Sequence, residues 1–165
     1  MTFTSRNGTR GTRQPQNGAL MRWAKRHWIN RIERKGGKVM GMNVLVLTTV
    51  GKKSGMERQT PLGWFPGPAG SWFIVASASG AAKNPAWYYN LAASPTKARI
   101  TVGGREIPVT ARQLDGVERD RAWEQVVAVV PRYAQYVTKT DRDIPVIQLT
   151  PSEPKNSLPE QSGYR

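Results

Sequence analysis

Short hydrophobic runs alternate with polar turns over most of the chain after residue 42. Each run ends at Gly, Pro, Ser or Asn, which is typical of strands joined by tight turns. The absence of a regular strand–helix alternation favours a small, mainly antiparallel barrel with some helices, an α+β fold, over a parallel Rossmann sheet. The predicted strands cover residues 43–50, 57–65, 70–79, 97–104, 105–114 and 144–149, and the sequence VGGRE predicts a hairpin between the fourth and fifth of them.

Helical periodicity predicts helices at residues 84–94, 116–130 and 132–140, and a basic amphipathic helix within residues 19–38 that ends at Gly36-Gly37. This first helix has basic residues around most of its circumference. It suits either attachment to an anionic membrane surface through residues 19–35 or folding onto the barrel. Its apolar positions are Leu20, Trp23, Ala24, Trp28 and Ile32.

The two ends of the chain lack any hydrophobic period. Residues 1–18 and 151–165 are polar and rich in Gly, Arg, Pro or Ser, so burial cannot offset the entropy of ordering them, and we expect disordered tails. The region 39–150 is the predicted barrel domain. A chain of 165 residues is long enough for one ordinary core, which favours a single domain.

The charge is concentrated near the N-terminus. Residues 1–38 contain ten Lys and Arg against Glu33 alone, which accounts for +9 of the formal net charge of +14. Such an excess of positive charge is also typical of nucleic-acid-binding modules, which is an alternative interpretation. In the ordered region, however, the aromatic residues lie beside apolar or small residues and do not interleave with a basic stripe. We therefore expect no nucleic-acid partner.

Composition excludes several kinds of site. The chain has no cysteine, which excludes disulfides and thiolate metal sites, and His27, which we expect to be solvated, is its only histidine. No apolar run approaches the roughly 20 residues that cross a bilayer. We expect a cytoplasmic protein that is soluble or attached peripherally to the inner face of the cell membrane.

The turn GKKSG follows the first predicted strand and carries concentrated positive charge. It fails the spacing of a phosphate-binding P-loop, because Val46 stands where the first glycine is needed and an extra lysine precedes Ser54. Lys52, Lys53, the Ser54 hydroxyl and the turn amides could still converge on a phosphate, with Arg58 as a further donor. The alternative is an exposed hairpin that is merely basic.

Small residues from Ala76 to Ala82 would let a flat ligand approach the backbone closely. Asn84-Pro85 is predicted to cap the next helix, whose N-terminus would favour an electron-rich ring edge. Trp87 and Leu91 are predicted to pack in the core. Tyr88, Tyr89 and Asn90 could line either a pocket or a subunit contact.

Tyr133 and Tyr136 lie three residues apart, on one face of a short helix. They suit the wall of a pocket for a planar substrate, and ordinary half-buried packing is the alternative. Asp141 and Arg142 are predicted to form a turn before the last strand.

Three motifs together resemble the deazaflavin-dependent nitroreductase family of actinobacterial reductases. The motifs are TTVGKKSG with Arg58 and Pro61, VASASG with NPAWYYNL, and the segment with YAQY and TDR before IPV. The resemblance implies an FMN-binding-like split β-barrel that uses coenzyme F420, a deazaflavin with a phosphate and an oligoglutamate tail. Val130 is a departure, because related members often have tyrosine there.

The resemblance also implies an activity and a set of site residues. The activity is hydride transfer from the reduced coenzyme to a quinone, enone or nitro compound. The alternative is a split-barrel oxidoreductase that uses FMN, and the open sheet edges of such barrels allow a homodimer. The catalytic residues implied are Ser77, Tyr133 and Tyr136. The cofactor-binding residues implied are Lys52, Lys53, Ser54, Arg58, Gln59, Thr60, Pro61, Leu62, Gly63, Val75, Ala76, Ser77, Ala78, Ala86, Trp87, Tyr88, Tyr89, Asn90 and Tyr133.

Overall fold

A computed structural model describes residues 3–13, 19–35, 38–39 and 41–152. The strands are β1 (Lys38–Val39), β2 (Met42–Val50), β3 (Glu57–Pro66), β4 (Trp72–Val75), β5 (Ala98–Val102), β6 (Arg105–Gln113) and β7 (Val146–Pro151). The helices are α1 (Ala19–Lys35), α2 (Ala86–Ala93), α3 (Gly116–Val129) and α4 (Arg132–Lys139). Of the tail predicted for residues 151–165, Pro151 instead ends β7 and the Ser152 amide donates to the Pro108 carbonyl at 2.9 Å. The rest of that tail and the predicted helix end at Gly36-Gly37 lie outside the described residues.

The strands form a closed antiparallel barrel. The sheet runs in the order β1-β2-β3-β4-β7-β6-β5, and β2 also pairs with β5, so that six strands close on themselves and β1 extends one edge. Val46 shows the closure, because it faces Pro61 of β3 and Thr101 of β5. The predicted hairpin is also present, with Val102 opposite Arg105. The prediction of a mainly antiparallel α+β barrel is therefore confirmed.

The barrel interior contains the largest group of buried side chains. Successive residues of a strand point to opposite faces, so Leu45 and Leu47 of β2 point inward and are fully buried. Val44 and Val46 point outward and are also buried, because α1 covers them. This double burial explains why β2 is a continuous apolar run. Inside the barrel, these leucines share the core with Ile74, Ile100, Ile147 and Leu149.

The first helix packs on the outside of the barrel through a face that includes the predicted Ile32 but not the predicted Trp23 or Trp28. Ile29 and Ile32 are 4% and 6% exposed and contact Val44 and Val46. Full burial of such a side chain contributes about 1.5–3 kcal/mol, so these two favour docking. Trp23 and Trp28, which were predicted on the apolar face, are 67% and 42% exposed. Of the two sequence alternatives, the structure shows α1 folded onto the barrel.

Residues 3–13 lie along the barrel, which differs from the disordered tail predicted for residues 1–18. The amide of Gly8 donates to the carbonyl of Ala82 at 2.7 Å, and the amide of Thr12 donates to the carbonyl of Gly80 at 3.0 Å. Phe3 packs edge-on against Tyr88, with ring centroids 5.4 Å apart. Backbone hydrogen bonds and this one aromatic contact hold a segment that is otherwise polar. Residues 14–18 lie outside the described part.

Candidate active site

The basic turn between β2 and β3 is closed by its own backbone. The amide of Gly51 donates to the Met56 carbonyl at 2.7 Å, and the amide of Gly55 donates to the Gly51 carbonyl at 2.8 Å. The Ser54 hydroxyl oxygen accepts from the Met56 amide at 3.2 Å. A Cβ on Gly51 would lie 2.6 Å from that hydroxyl oxygen and 3.1 Å from the Met56 carbonyl oxygen, so a larger residue would displace the hydroxyl and crowd the turn.

Asn90 joins this turn to α2. Its side-chain oxygen accepts from the Lys52 amide at 3.0 Å, and its side-chain nitrogen donates to the Thr49 hydroxyl at 3.2 Å. The Lys52 amide, which was predicted to face a phosphate, is therefore already used. The turn presents a ligand mainly with the cationic side chains of Lys52 and Lys53, both exposed.

A cavity of about 800 Å³ lies beside the turn. The turn, β3, the start of α2 and one face of α1 form its walls. Many of the predicted cofactor-binding residues meet here: Lys52, Lys53, Ser54, Arg58, Gln59, Thr60, Ala86, Trp87, Tyr89 and Asn90. The contribution of α1 was not predicted, and it adds Arg22, Lys25, Arg26 and Ile29.

The lining is strongly cationic. Six Lys and Arg side chains, Arg22, Lys25, Arg26, Lys52, Lys53 and Arg58, line the cavity together with one carboxylate, that of Glu57. Both Glu57 oxygens accept hydrogen bonds from the Arg99 guanidinium, which lower the pKa of Glu57. Burial, followed by the charge of Arg58, lowers the pKa of Lys25. An anion in the cavity would relieve this mutual repulsion.

Other predicted site residues lie outside the lining of this cavity. Pro61, Leu62 and Gly63 continue along β3, and Val75, Ala76, Ser77 and Ala78 lie at the end of β4. Tyr88 is 1% exposed inside the barrel core. Its hydroxyl donates to Oε1 of Gln113 at 2.7 Å and accepts from the Ser5 amide at 3.0 Å. Tyr88 thus anchors the N-terminal segment.

The two tyrosines of α4 contact each other edge to face, with ring centroids 5.3 Å apart. Tyr133 is 7% exposed and packs in the cluster between α3, α4 and the barrel. Its hydroxyl donates to Sδ of Met42 at 3.5 Å, and a Cβ on Gly63 would lie 3.6 Å from the hydroxyl oxygen. Burial raises the pKa of Tyr133, so its hydroxyl stays protonated at neutral pH.

Arg142 is a buried cation that the sequence analysis treated as part of a turn. It is 5% exposed, and burial lowers its pKa. Its guanidinium donates to the carbonyls of Ala76, Ser77 and Ala81 at 2.9, 2.9 and 3.1 Å. It also donates to the side-chain oxygen of Asn84 at 2.6 Å. Two signals were available, namely the place of Arg142 in the TDR motif and its position four residues before the buried strand β7.

The loop that Arg142 holds has an unusual backbone. Ala78, Ser79 and Gly80 have φ values of 44°, 54° and 80°, in the left-handed region that non-glycine residues avoid. Asn84 is engaged with Arg142, so it does not cap α2 as predicted, and Pro85 is the residue at the N-cap position. The small residues of the predicted ligand wall are therefore held in a strained turn by contacts from outside it.

Comparisons with known proteins agree with these features. A family model described as F420H(2)-dependent quinone reductase matches residues 20–151. An F420H(2)-dependent quinone reductase of Mycobacterium tuberculosis is 37% identical over 109 residues, covering 64% of this chain and 72% of the relative.

Two solved structures are also similar. An F420-H2 dependent reductase (FDR-A) is 40% identical, with a TM-score of 0.60, covering 70% of this chain and 100% of its own. A protein described as a domain-swapped dimer is 36% identical, with a TM-score of 0.61, covering 80% of this chain and 100% of its own. The family match spans α1, the whole barrel and the cationic cavity, and the chain belongs to the F420H(2)-dependent quinone reductase family.

Proposed function

We propose that the cationic cavity holds the phosphate and acidic tail of coenzyme F420 while the protein reduces a quinone, enone or nitro compound. Family membership confirms the predicted enzyme class, an oxidoreductase, and the predicted cofactor. The placement of the tail rests on the charge of the lining, because a cavity of about 800 Å³ is lined by six cationic side chains and one carboxylate.

The residues present fit this coenzyme. A phosphate followed by glutamates is a chain of anions, and Arg58 can donate two parallel hydrogen bonds to one of them. Lys52 and Lys53 supply point charges on the facing turn, and the half-buried ring of Tyr89 supplies an apolar surface at the α2 end. FMN has a single phosphate and would leave most of these cations without a partner, which favours the deazaflavin over FMN.

The ring of the coenzyme would lie toward Val75–Ala78, with Ala86–Asn90 at its other edge. The bound coenzyme supplies the hydride. The chain supplies orientation and hydrogen-bond donors, and Ser77, Tyr133 and Tyr136 are the proposed catalytic residues. The buried Tyr133 hydroxyl stays neutral, so it can exchange its long contact with Sδ of Met42 for a hydrogen bond to an oxygen that gains negative charge.

The decisive experiment mixes the protein with reduced coenzyme F420 and menadione and follows oxidation of the coenzyme. The expected result is oxidation well above the rate without protein. Reduced FMN is the matched control, and faster oxidation of FMN than of F420 would favour the FMN alternative. No oxidation above the protein-free rate with several quinones, enones and nitro compounds would overturn the proposal.

We also propose peripheral attachment to an anionic membrane surface, where a quinone would be available to a cytoplasmic enzyme. The described helices include none that is both long and apolar enough to span a bilayer. The exposed Trp23 and Trp28 support attachment through α1. Sedimentation with anionic vesicles is expected for the full chain and reduced for Trp23→Ser/Trp28→Ser. Equal sedimentation of the two would contradict this mode of attachment.

A homodimer is proposed because a similar structure is described as a domain-swapped dimer. Sedimentation equilibrium of the full chain tests the oligomeric state, and a monomer at all concentrations would exclude the dimer.

We further propose that residues 39–150 form the reductase domain, to which residues 19–38 add a helix.

A further inference from the structure

One face of α1 turns toward the cavity. Arg22, Lys25, Arg26 and Ile29 line it, at the spacing of three and four residues that places side chains on one side of a helix. Ile29 is 4% exposed and packs on the barrel, so it fixes the rotation of the helix and directs the neighbouring basic residues to the cavity. The face is therefore positioned by a buried anchor.

The cations of α1 face those of the barrel across the cavity. The charge of Arg58 on β3 contributes to the lowered pKa of Lys25, which indicates that these two like charges are near each other. Among the carboxylates whose side chains the structure describes, which do not include Glu33 of α1, none forms a salt bridge with any of the six cavity cations. Like charges held close together without ion-pair partners repel each other and so destabilise the docked helix. An anion bound between them would attract both sides and stabilise it.

The rest of the helix serves as an internal comparison. Arg31 and Arg34 are also exposed on α1, but they do not line the cavity. If the basic face of α1 served only to keep the helix solvated, three of its cations would not have to line the same cavity as the turn and β3. The arrangement is that of a second wall of a binding site.

We infer that Arg22, Lys25 and Arg26 bind the outer carboxylates of the oligoglutamate tail, while the turn and Arg58 hold the phosphate. The inference rests on the proposed function, because it assigns α1 to the same coenzyme. Each added glutamate brings one more carboxylate. The protein is therefore expected to bind long-tailed forms of the coenzyme more tightly than short-tailed forms, and α1 is the element that makes this distinction.

The test is a binding titration of the oxidised coenzyme, followed by its own fluorescence, with the full-length protein. Three ligands are compared: a long-tailed form, a form with a single glutamate, and the deazaflavin core without phosphate or tail. Arg22→Gln/Arg26→Gln is expected to weaken binding of the long-tailed form by about three- to ten-fold, the sum of two exposed ion pairs. Binding of the core is expected to stay unchanged.

Arg31→Gln/Arg34→Gln is the matched control, because it removes the same charge from the same helix outside the cavity. It is expected to change the affinity for the long-tailed form by less than about two-fold. Thermal unfolding of both variants checks that α1 stays docked. Increasing salt should reduce the wild-type preference for the long tail and have little effect on the small remaining preference of the cavity variant.

The outcomes separate the two proposals. If the wild type binds neither coenzyme form, the proposed function fails, and the assignment of α1 fails with it. If the wild type binds both forms and the two double variants behave alike, the helix contributes only a general positive field and the inference is overturned. A wild type with no preference for the longer tail would overturn it as well.

Discussion

The guanidinium of Arg142 and the side-chain oxygen of Asn84 are joined by a 2.6 Å hydrogen bond in the protein interior. The remaining donors of Arg142 are directed at backbone carbonyls of the loop between β4 and α2. Asn84 in turn donates to the Ser5 carbonyl at 3.3 Å. This pair therefore connects the segment between α4 and β7, the strained loop and the N-terminal segment.

Arg142→Lys should lower the free energy of unfolding by about 2–4 kcal/mol. A lysine has a single nitrogen and cannot reach four acceptors at once, so buried carbonyls would lose their partners. The midpoint and slope of urea unfolding measure the change. Arg31→Lys, at an exposed position of α1, is the control and should change stability by less than about 0.5 kcal/mol. Equal stability of both variants would contradict this role of Arg142.

Gly11→Ala should detach residues 3–13 from the barrel. A Cβ on Gly11 would lie 2.3 Å from the amide nitrogen of Ala82 and 2.6 Å from the carbonyl oxygen of Gly80, and both are backbone atoms that cannot move aside cheaply. Trypsin is expected to cleave after Arg10 faster in this variant than in the wild type. Glu124→Ala, at an exposed position of α3, is the control and should leave the cleavage rate unchanged. Unchanged cleavage in Gly11→Ala would show that the segment is not held by this contact.

Acidification should release the same segment by another route. The Thr9 hydroxyl and the Arg10 and Thr9 amides hold the pKa of Asp141 at about 2, below its ordinary 3.8. Because the folded pKa is the lower one, the stabilisation is present in full above about pH 4 and is lost as the pH falls toward 2.

Hydrogen exchange at the Thr9 and Arg10 amides measures this release. Protection should decrease between about pH 4 and 2, after correction for intrinsic exchange rates. Asp141→Asn should show weak protection at all pH values, and the exposed Asp120→Asn should behave like the wild type. Full protection in Asp141→Asn would contradict the proposed role of the carboxylate.

Glu57→Gln should strengthen binding of the anionic coenzyme. Glu57 is the one carboxylate among the described lining residues, and its removal eliminates a solvent-screened repulsion, so the affinity should rise by about two-fold. Fluorescence titration at low salt measures it. Glu106→Gln removes another carboxylate that pairs with Arg99 but does not line the cavity, and it should have a smaller effect. Weaker binding by Glu57→Gln would indicate that Glu57 positions a ligand-binding residue.

Tyr133→Phe should lower the rate of quinone reduction by about ten-fold or more while leaving coenzyme affinity nearly unchanged, if its hydroxyl donates to the developing oxyanion. The ring remains, so its packing with Phe65 is kept. Because burial raises the pKa of Tyr133, no loss of activity below about pH 10 should be attributable to its ionisation. An alkaline decline below that pH which disappears in the variant would contradict this.

The strands could be predicted because turn residues bound each apolar run. β2 and β3 begin or end within a residue of the predicted runs. The run 70–79 is an exception, since the strand stops at Val75. Small residues have little preference for a strand, and Arg142, distant in sequence, binds the carbonyls that follow. The residues of the run itself do not indicate that a side chain so distant in sequence binds their carbonyls.

The site was only partly predictable for the same reason. The turn with Lys52 and Lys53 could be identified from its own residues. The orientation of α1 is set by Val44 and Val46, apolar side chains on the outside of the barrel that the helix covers. The apolar positions of the helix sequence include the exposed Trp23 and Trp28, so they predict a different face. The docking of residues 3–13 depends on acceptors far away in sequence, such as Asp141.

The basic turn lies beyond the last paired residues of β2 and β3, Val50 and Glu57. Its length is therefore independent of the strand register that aligns the barrel core. Residues could be inserted or removed between Gly51 and Met56 without moving an inward-facing side chain. Under the proposed function, recognition of the coenzyme's anionic end could therefore diverge between relatives while the barrel that supports the turn stays the same.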